Sequence, residues 1–124
     1  MKTRFSSLTG QTVGMDNPNP LEISIDELAK LISDGITLID VRMEDEYLEG
    51  HVPGAKLMPL DQIEERSNEV PSDRDVYLIC RSGGRSAKAQ DVLNAKGRKC
   101  INVAGGTLGW IEAGHKTIEG PNES

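Results

Sequence analysis

Aromatic side chains are nearly missing from this sequence: one Trp, one Phe and two Tyr among 124 residues. A core built on large rings is excluded, so Leu, Ile, Val and Ala must fill it. Cysteine is equally scarce. Cys80 and Cys100 are the whole complement, and their spacing matches no metal-ligand pattern. A disulfide framework is excluded, a reducing compartment fits, and a cytoplasmic location is expected. Nothing in the sequence implies a metal or an organic cofactor.

Long apolar runs are absent too. A stretch such as Ile36-Thr37-Leu38-Ile39 is far too short to span a bilayer, so no membrane partner is expected. The N-terminal MKTRFSSLTGQTVGM carries Lys2 and Arg4 without an apolar segment, which disfavours a secretory signal. Positive charge is the minority: 14 Lys and Arg against 20 Asp and Glu, a net charge of -6. That balance argues against nucleic-acid binding, although a local positive pocket remains compatible with it.

What is present reads as one α/β domain. Residues 1–20 lack periodicity and end in Asn17-Pro18-Asn19-Pro20, a tail and breaker. Residues 21–118 form the domain, and 119–124 a C-terminal tail. Ser24-Ile25-Asp26-Glu27 is a capping box, with Ile23 and Leu28 spaced as a hydrophobic staple. Leu28, Leu31 and Ile32 give a helical stripe that Gly35 stops. Strands are expected at 36–41, 56–58, 75–79 and 99–103. Short helices are expected at 44–48, 60–66, 86–95 and 106–113. Alternating strands and helices imply a mainly parallel sheet covered on both faces, with the ligand site at the carboxyl ends of its strands.

Cys80 leaves the strand 75–79 at that end, and the hexapeptide Cys80-Arg81-Ser82-Gly83-Gly84-Arg85 follows. The thiolate, not the thiol, is the nucleophile. A helix N-terminus beyond the loop favours negative charge. Gly83 and Gly84 let successive N–H groups curl around the sulfur. Arg81 and Arg85 add charges that do not titrate away, and each can fork onto an oxyanion. The alternative, a small buried thiol with no chemistry, is outweighed by these features acting together.

These residues resemble the single-domain rhodaneses, or thiosulfate sulfurtransferases. The family loop is Cys-Arg-x-Gly-x-Arg, and residues 80–85 match each fixed position. The resemblance extends to Asp40-Val41-Arg42, Glu46-Tyr47, Gly50-His51-Val52-Pro53-Gly54-Ala55 and Gly105-Gly106 with Trp110, so it covers about 22–114. It implies a rhodanese-like three-layer domain with a mostly parallel five-stranded sheet. It also implies two-step sulfur transfer, from thiosulfate to a Cys80 persulfide and on to cyanide or a thiol. The N–H groups of residues 81–85 would hold the persulfide, Arg81 and Arg85 would bind substrate oxygens or fix the loop, and thioredoxin or another sulfur-relay protein is a candidate partner.

Three other readings compete. A cysteine phosphatase or arsenate reductase has five residues between Cys and Arg in its loop. Here four intervene, a tighter ring suited to one sulfur. The other two readings are a protein-partnered relay and a persulfide-sensing module. Of the supporting residues, Asp40 is expected to bond loop N–H groups or pair with an arginine. Arg42 either lends charge to the pocket rim or is solvated. His51 is read as a turn-stabilising hydrogen bonder rather than a base, His115 as exposed, and Cys100 as a buried inert thiol. Trp110 is read as packing the last helix onto the core.

Overall fold

In a computed structural model, residues 21–124 are described; the expected tail at 1–20 lies outside them. Order begins with β1 (Glu22–Ile23) and α1 (Ile25–Ile32). The capping box forms as expected: the Ser24 hydroxyl accepts from the Glu27 N–H at 3.1 Å, and Glu27 Oε1 accepts from the Ser24 N–H at 3.0 Å. Ile23 and Leu28 pack in the same apolar cluster, as a staple requires. The chain continues through β2 (Thr37–Asp40), α2 (Glu44–Glu49) and β3 (Ala55–Leu57). It ends with β4 (Asp75–Ile79), α3 (Gly84–Ala95), β5 (Lys99–Val103) and α4 (Gly106–Glu112).

One expectation needs correction, and one strand goes beyond those expected. The segment 60–66 is not a short α-helix: single 3-10 turns at Leu60–Gln62 and Ser67–Glu69 bracket irregular turns. Only Leu60 and Ile63 are apolar there, too few for the stripe that holds a surface helix against a core. The additional strand is β1, two residues long, which pairs in parallel with β5 at Glu22↔Asn102 and Ile23↔Val103.

All five strands run parallel, in the order β1-β5-β4-β2-β3. Period-2 alternation assigns side chains to the two faces. Along β4, Val76 and Leu78, continued by Cys80, join Ala89 and Leu93 of α3 in one apolar cluster. Tyr77 and Ile79 join Leu28, Tyr47 and Trp110, from α1, α2 and α4, in the other. Helices therefore cover both faces, and the layers put Cys80 and α3 on the same side of the sheet.

Beyond α4 the chain returns across the turn that follows α2. His51 and Ile118 exchange backbone hydrogen bonds at 3.0 and 2.8 Å, Gly120 N–H donates to Leu48 O, and Gly54 N–H donates to Glu123 O. Residues 119–124, set apart in the sequence as a tail, thus contact the domain. No helix among the described residues is long and apolar enough to cross a membrane.

Candidate active site

β4 ends at Ile79, and Cys80 turns off its carboxyl end with a side chain only 1% exposed. Arg81, Ser82 and Gly84 are exposed, so the sulfur sits one layer beneath a surface loop. Gly83 caps α3 with φ +116°, a left-handed conformation that glycine adopts without strain. This geometry aims the Gly83 N–H at Cys80 Sγ, 3.0 Å away. The Ser86 hydroxyl, on the first turn of α3, lies 3.3 Å from the same sulfur. Burial pushes the Cys80 thiol up, but bonds from the Ser86 hydroxyl and the Ser86, Gly83 and Ser82 backbone outweigh it. The net direction is down.

The outer side of the loop is held by the start of α4. Cys80 O accepts from the Thr107 N–H at 2.8 Å and from Thr107 Oγ1 at 3.0 Å, and Arg81 O accepts from the Leu108 N–H at 3.0 Å. Gly106 makes that approach possible: a Cβ there would lie 2.5 Å from Arg81 O and 2.6 Å from Cys80 O. With the loop carbonyls turned out toward α4, its N–H groups turn in toward sulfur.

The arginines of the site have different surroundings. Arg81 is exposed and has no ion pair among the described residues. Arg85 forks onto Glu46 of α2, at 2.7 and 2.9 Å, and that bond takes the Glu46 carboxyl down to about 2. Arg42 is not solvated. It is 6% exposed, and its guanidinium grips the fully buried Asp40 at 2.9 and 2.7 Å and the Gly50 carbonyl at 2.8 Å. Asp40 also accepts the Arg42 N–H at 3.0 Å, so the pair stiffens the end of β2 as a charge-neutral unit. A cleft of about 440 Å³ borders the loop, lined by Arg42, Glu46, Glu49, Arg81, Leu108 and Ile111 among others.

Three residues that sequence reasoning left out complete the site: Ser86, Glu46 as the Arg85 partner, and Asn102 of β5. Asn102 bonds both Ser86 and Gly83. Other side chains lie elsewhere. His51 stacks on the Tyr47 ring at 3.7 Å, and its ring nitrogens face Tyr47 O and Asn122 O. It fastens a turn, as expected. His115 is half-buried rather than exposed, stacked on Trp110. Trp110 sits in the core cluster and donates to Lys116 O at 2.8 Å. Cys100 is fully buried, and burial pushes its thiol up to about 11. Cys100 pairs with Val76 in the sheet, and Cys80 is four strand positions farther on. At about 3.3 Å per residue that separation is roughly 13 Å, beyond disulfide reach. Among the described residues no cluster of three or more His, Cys, Asp or Glu could hold a metal.

The fold and loop together define a parallel α/β domain with a cysteine in a glycine-hinged ring of donors at a strand's carboxyl end. The model of the rhodanese-like domain matches residues 24–113, and this chain belongs to that family. A sulfurtransferase from Allochromatium vinosum is 35% identical over 96 residues, covering 75% of this chain and 90% of that protein. The Bacillus subtilis protein YrkF is 35% identical over 92 residues, 72% of this chain, which spans only 50% of YrkF. Among solved structures, a rhodanese-like domain protein from Staphylococcus aureus aligns with TM-score 0.69 at 35% identity. That alignment covers 72% of this chain and 89% of the other.

Proposed function

We propose that the chain is a sulfurtransferase that carries a sulfane sulfur on Cys80. The observation that carries this reading is the sulfur's setting: Gly83 N–H at 3.0 Å, Ser86 at 3.3 Å, at the N-terminus of α3. Such a ring holds a single anionic sulfur.

In the first half-reaction the Cys80 thiolate attacks the outer sulfur of thiosulfate. A new S–S bond forms, the old one breaks, and its electron pair leaves with sulfite. The charge of the thiolate moves to the outer atom of the persulfide, where the loop N–H groups face it. In the second half-reaction a thiophile, cyanide or a thiol, attacks that outer sulfur and the thiolate leaves. One difficult displacement becomes two easier ones. Arg81, unpaired, meets the substrate oxygens; Arg85, held by Glu46, fixes the first turn of α3; Asp40 and Arg42 brace the floor. Loop length argues against phosphoryl chemistry, since the ring is one residue short of a phosphate cradle.

A relay to a larger acceptor, a protein thiol, is the second reading. Leu108 and Ile111, 38% and 50% exposed, give the cleft an apolar wall that a small inorganic ion does not use. Mass measurement of the intact chain after thiosulfate treatment tests both. One added sulfur, absent in Cys80→Ser, supports transfer through Cys80; an unchanged mass in the folded protein refutes it.

A further inference from the structure

Ser86 has one hydroxyl proton and three acceptors around it. Its Oγ lies 2.5 Å from Asn102 Oδ1, 3.2 Å from Gly83 O and 3.3 Å from Cys80 Sγ. Ser86 is fully buried and Asn102 is 6% exposed, so bulk solvent does not settle the competition. The orientation of the Asn102 amide is decided by its other end. Asn102 Nδ2 donates to Gly83 O at 3.3 Å, and Gly83 O already accepts from the Ala87 N–H at 3.2 Å. Turning the amide over would set Oδ1 against that carbonyl, acceptor against acceptor. Asn102 therefore presents an oxygen to Ser86.

The effect depends on the charge of Sγ. With Cys80 as a thiol, its S–H donates to Ser86 Oγ, Ser86 donates to Asn102 Oδ1, and each group is paired. With Sγ ionised, the Ser86 proton is wanted in two places. If it turns to sulfur, a buried amide oxygen is orphaned; if it stays, the sulfur keeps only its backbone donors. When Sγ carries a second sulfur, the charge resides on the outer atom and the Ser86 proton returns to Asn102.

We propose that Asn102 is a positioning residue that competes with the Cys80 sulfur for the Ser86 hydroxyl proton. It thereby favours the thiol and the sulfur-loaded form over the bare thiolate; the loaded half of this statement rests on the sulfurtransferase reading. Arg85, the charged side chain that interacts with Cys80, is paired with Glu46, and Asp40 is paired with Arg42. All are unchanged in Asn102→Ala, so its shift reports on the hydroxyl proton.

The experiment follows alkylation of Cys80 by iodoacetamide against pH, read by mass, in the full chain. Asn102→Ala should move the alkylation midpoint down by roughly one pH unit, the difference between a charged and a neutral hydrogen bond. Asn102→Asp should move it up, because a carboxylate holds the Ser86 proton harder and also repels the thiolate; only the part of the shift that disappears in Ser86→Ala reports on the proton. In a Ser86→Ala background the Asn102→Ala shift should vanish. A midpoint that stays or rises in Asn102→Ala overturns the proposal, as does an equal shift without Ser86. If Asn102→Ala does not fold, the near-isosteric Asn102→Asp decides by its upward shift, which must shrink in Ser86→Ala. For the loaded half, Asn102→Ala charged with thiosulfate should lose its sulfur to cyanide several-fold faster than the parent. An equal rate overturns that half. If the parent takes up no sulfur at all, the sulfurtransferase reading falls while the alkylation result stands.

Discussion

Arg85 and Glu46, 39 positions apart, meet in a two-pronged ion pair that ties the first turn of α3 to α2. The loop's second guanidinium is thus already engaged on a carboxylate. The pair joins α3 to α2, whose Glu46 and Glu49 line the cleft, so its strength bears on the shape of the site.

That pair carries a pH signature. The Glu46 carboxyl is lowered from 4.5 to about 2 by Arg85, so the folded state holds its proton less tightly than the unfolded chain. The stabilisation is complete above about 4.5 and is lost as pH falls toward about 2. Glu46→Gln should be less stable than the parent at pH 7, and the gap should narrow at pH 3. Urea unfolding at the two pH values measures it; a gap that stays constant sinks the assignment.

Cys80→Ser should abolish sulfur uptake while leaving the circular-dichroism spectrum unchanged. Cys100→Ser should leave single-turnover persulfide formation within about twofold, because a thiol pushed up to about 11 in the core supplies no thiolate near neutral pH. A collapse of turnover in Cys100→Ser would mean that the two cysteines work as a pair.

Breaking the Asp40–Arg42 unit should be costly in a specific pattern. Arg42→Met leaves a fully buried carboxylate unpaired, for a loss of about 3 kcal/mol. Adding Asp40→Asn should recover part of it, since the double variant buries no lone charge. Chemical denaturation of the four proteins gives the coupling directly, and strict additivity would contradict the buried-pair account.

Gly106 and Gly97 offer a controlled comparison. Both have positive φ, +60° and +86°, yet a Cβ at Gly97 meets nothing within 4 Å while one at Gly106 strikes the Arg81 and Cys80 carbonyls. Gly97→Ala should cost about 1 kcal/mol of backbone strain. Gly106→Ala should cost more and should also slow sulfur uptake, because the loop must move. Equal stability losses with unchanged uptake would remove α4 from the description of the site.

How legible this was depended on range along the chain. The capping box, the core strands and the Cys80 loop are local patterns, and caps, alternation and glycine placement announce them within a few residues. β1 has two residues and no periodicity; it exists because β5 offers an open edge. The 60–66 segment carries helix-forming residues, but two apolar side chains cannot anchor a helix. The partners that complete the site are remote: Glu46 for Arg85, Asn102 for Ser86, Thr107 for Cys80 O. Each is an ordinary polar residue on its own element, and only the sheet order brings it to the loop. Arg42 was ambiguous for the same reason, since burial by neighbours, not its own identity, decided its role.

The outermost strand pair sets a schedule for making this molecule. Glu22 lies beside Asn102, so the register spans 80 positions, from 22 to 102. While the chain is being synthesised, β1 has no strand to pair with until β5 has left the ribosome. Asn102 arrives with β5, and Gly106 and Thr107 follow it. Cys80 and the donors that ring it, at Ser82, Gly83 and Ser86, are therefore made before the residues that brace their loop from outside, and the site stays unbraced until α4 is complete.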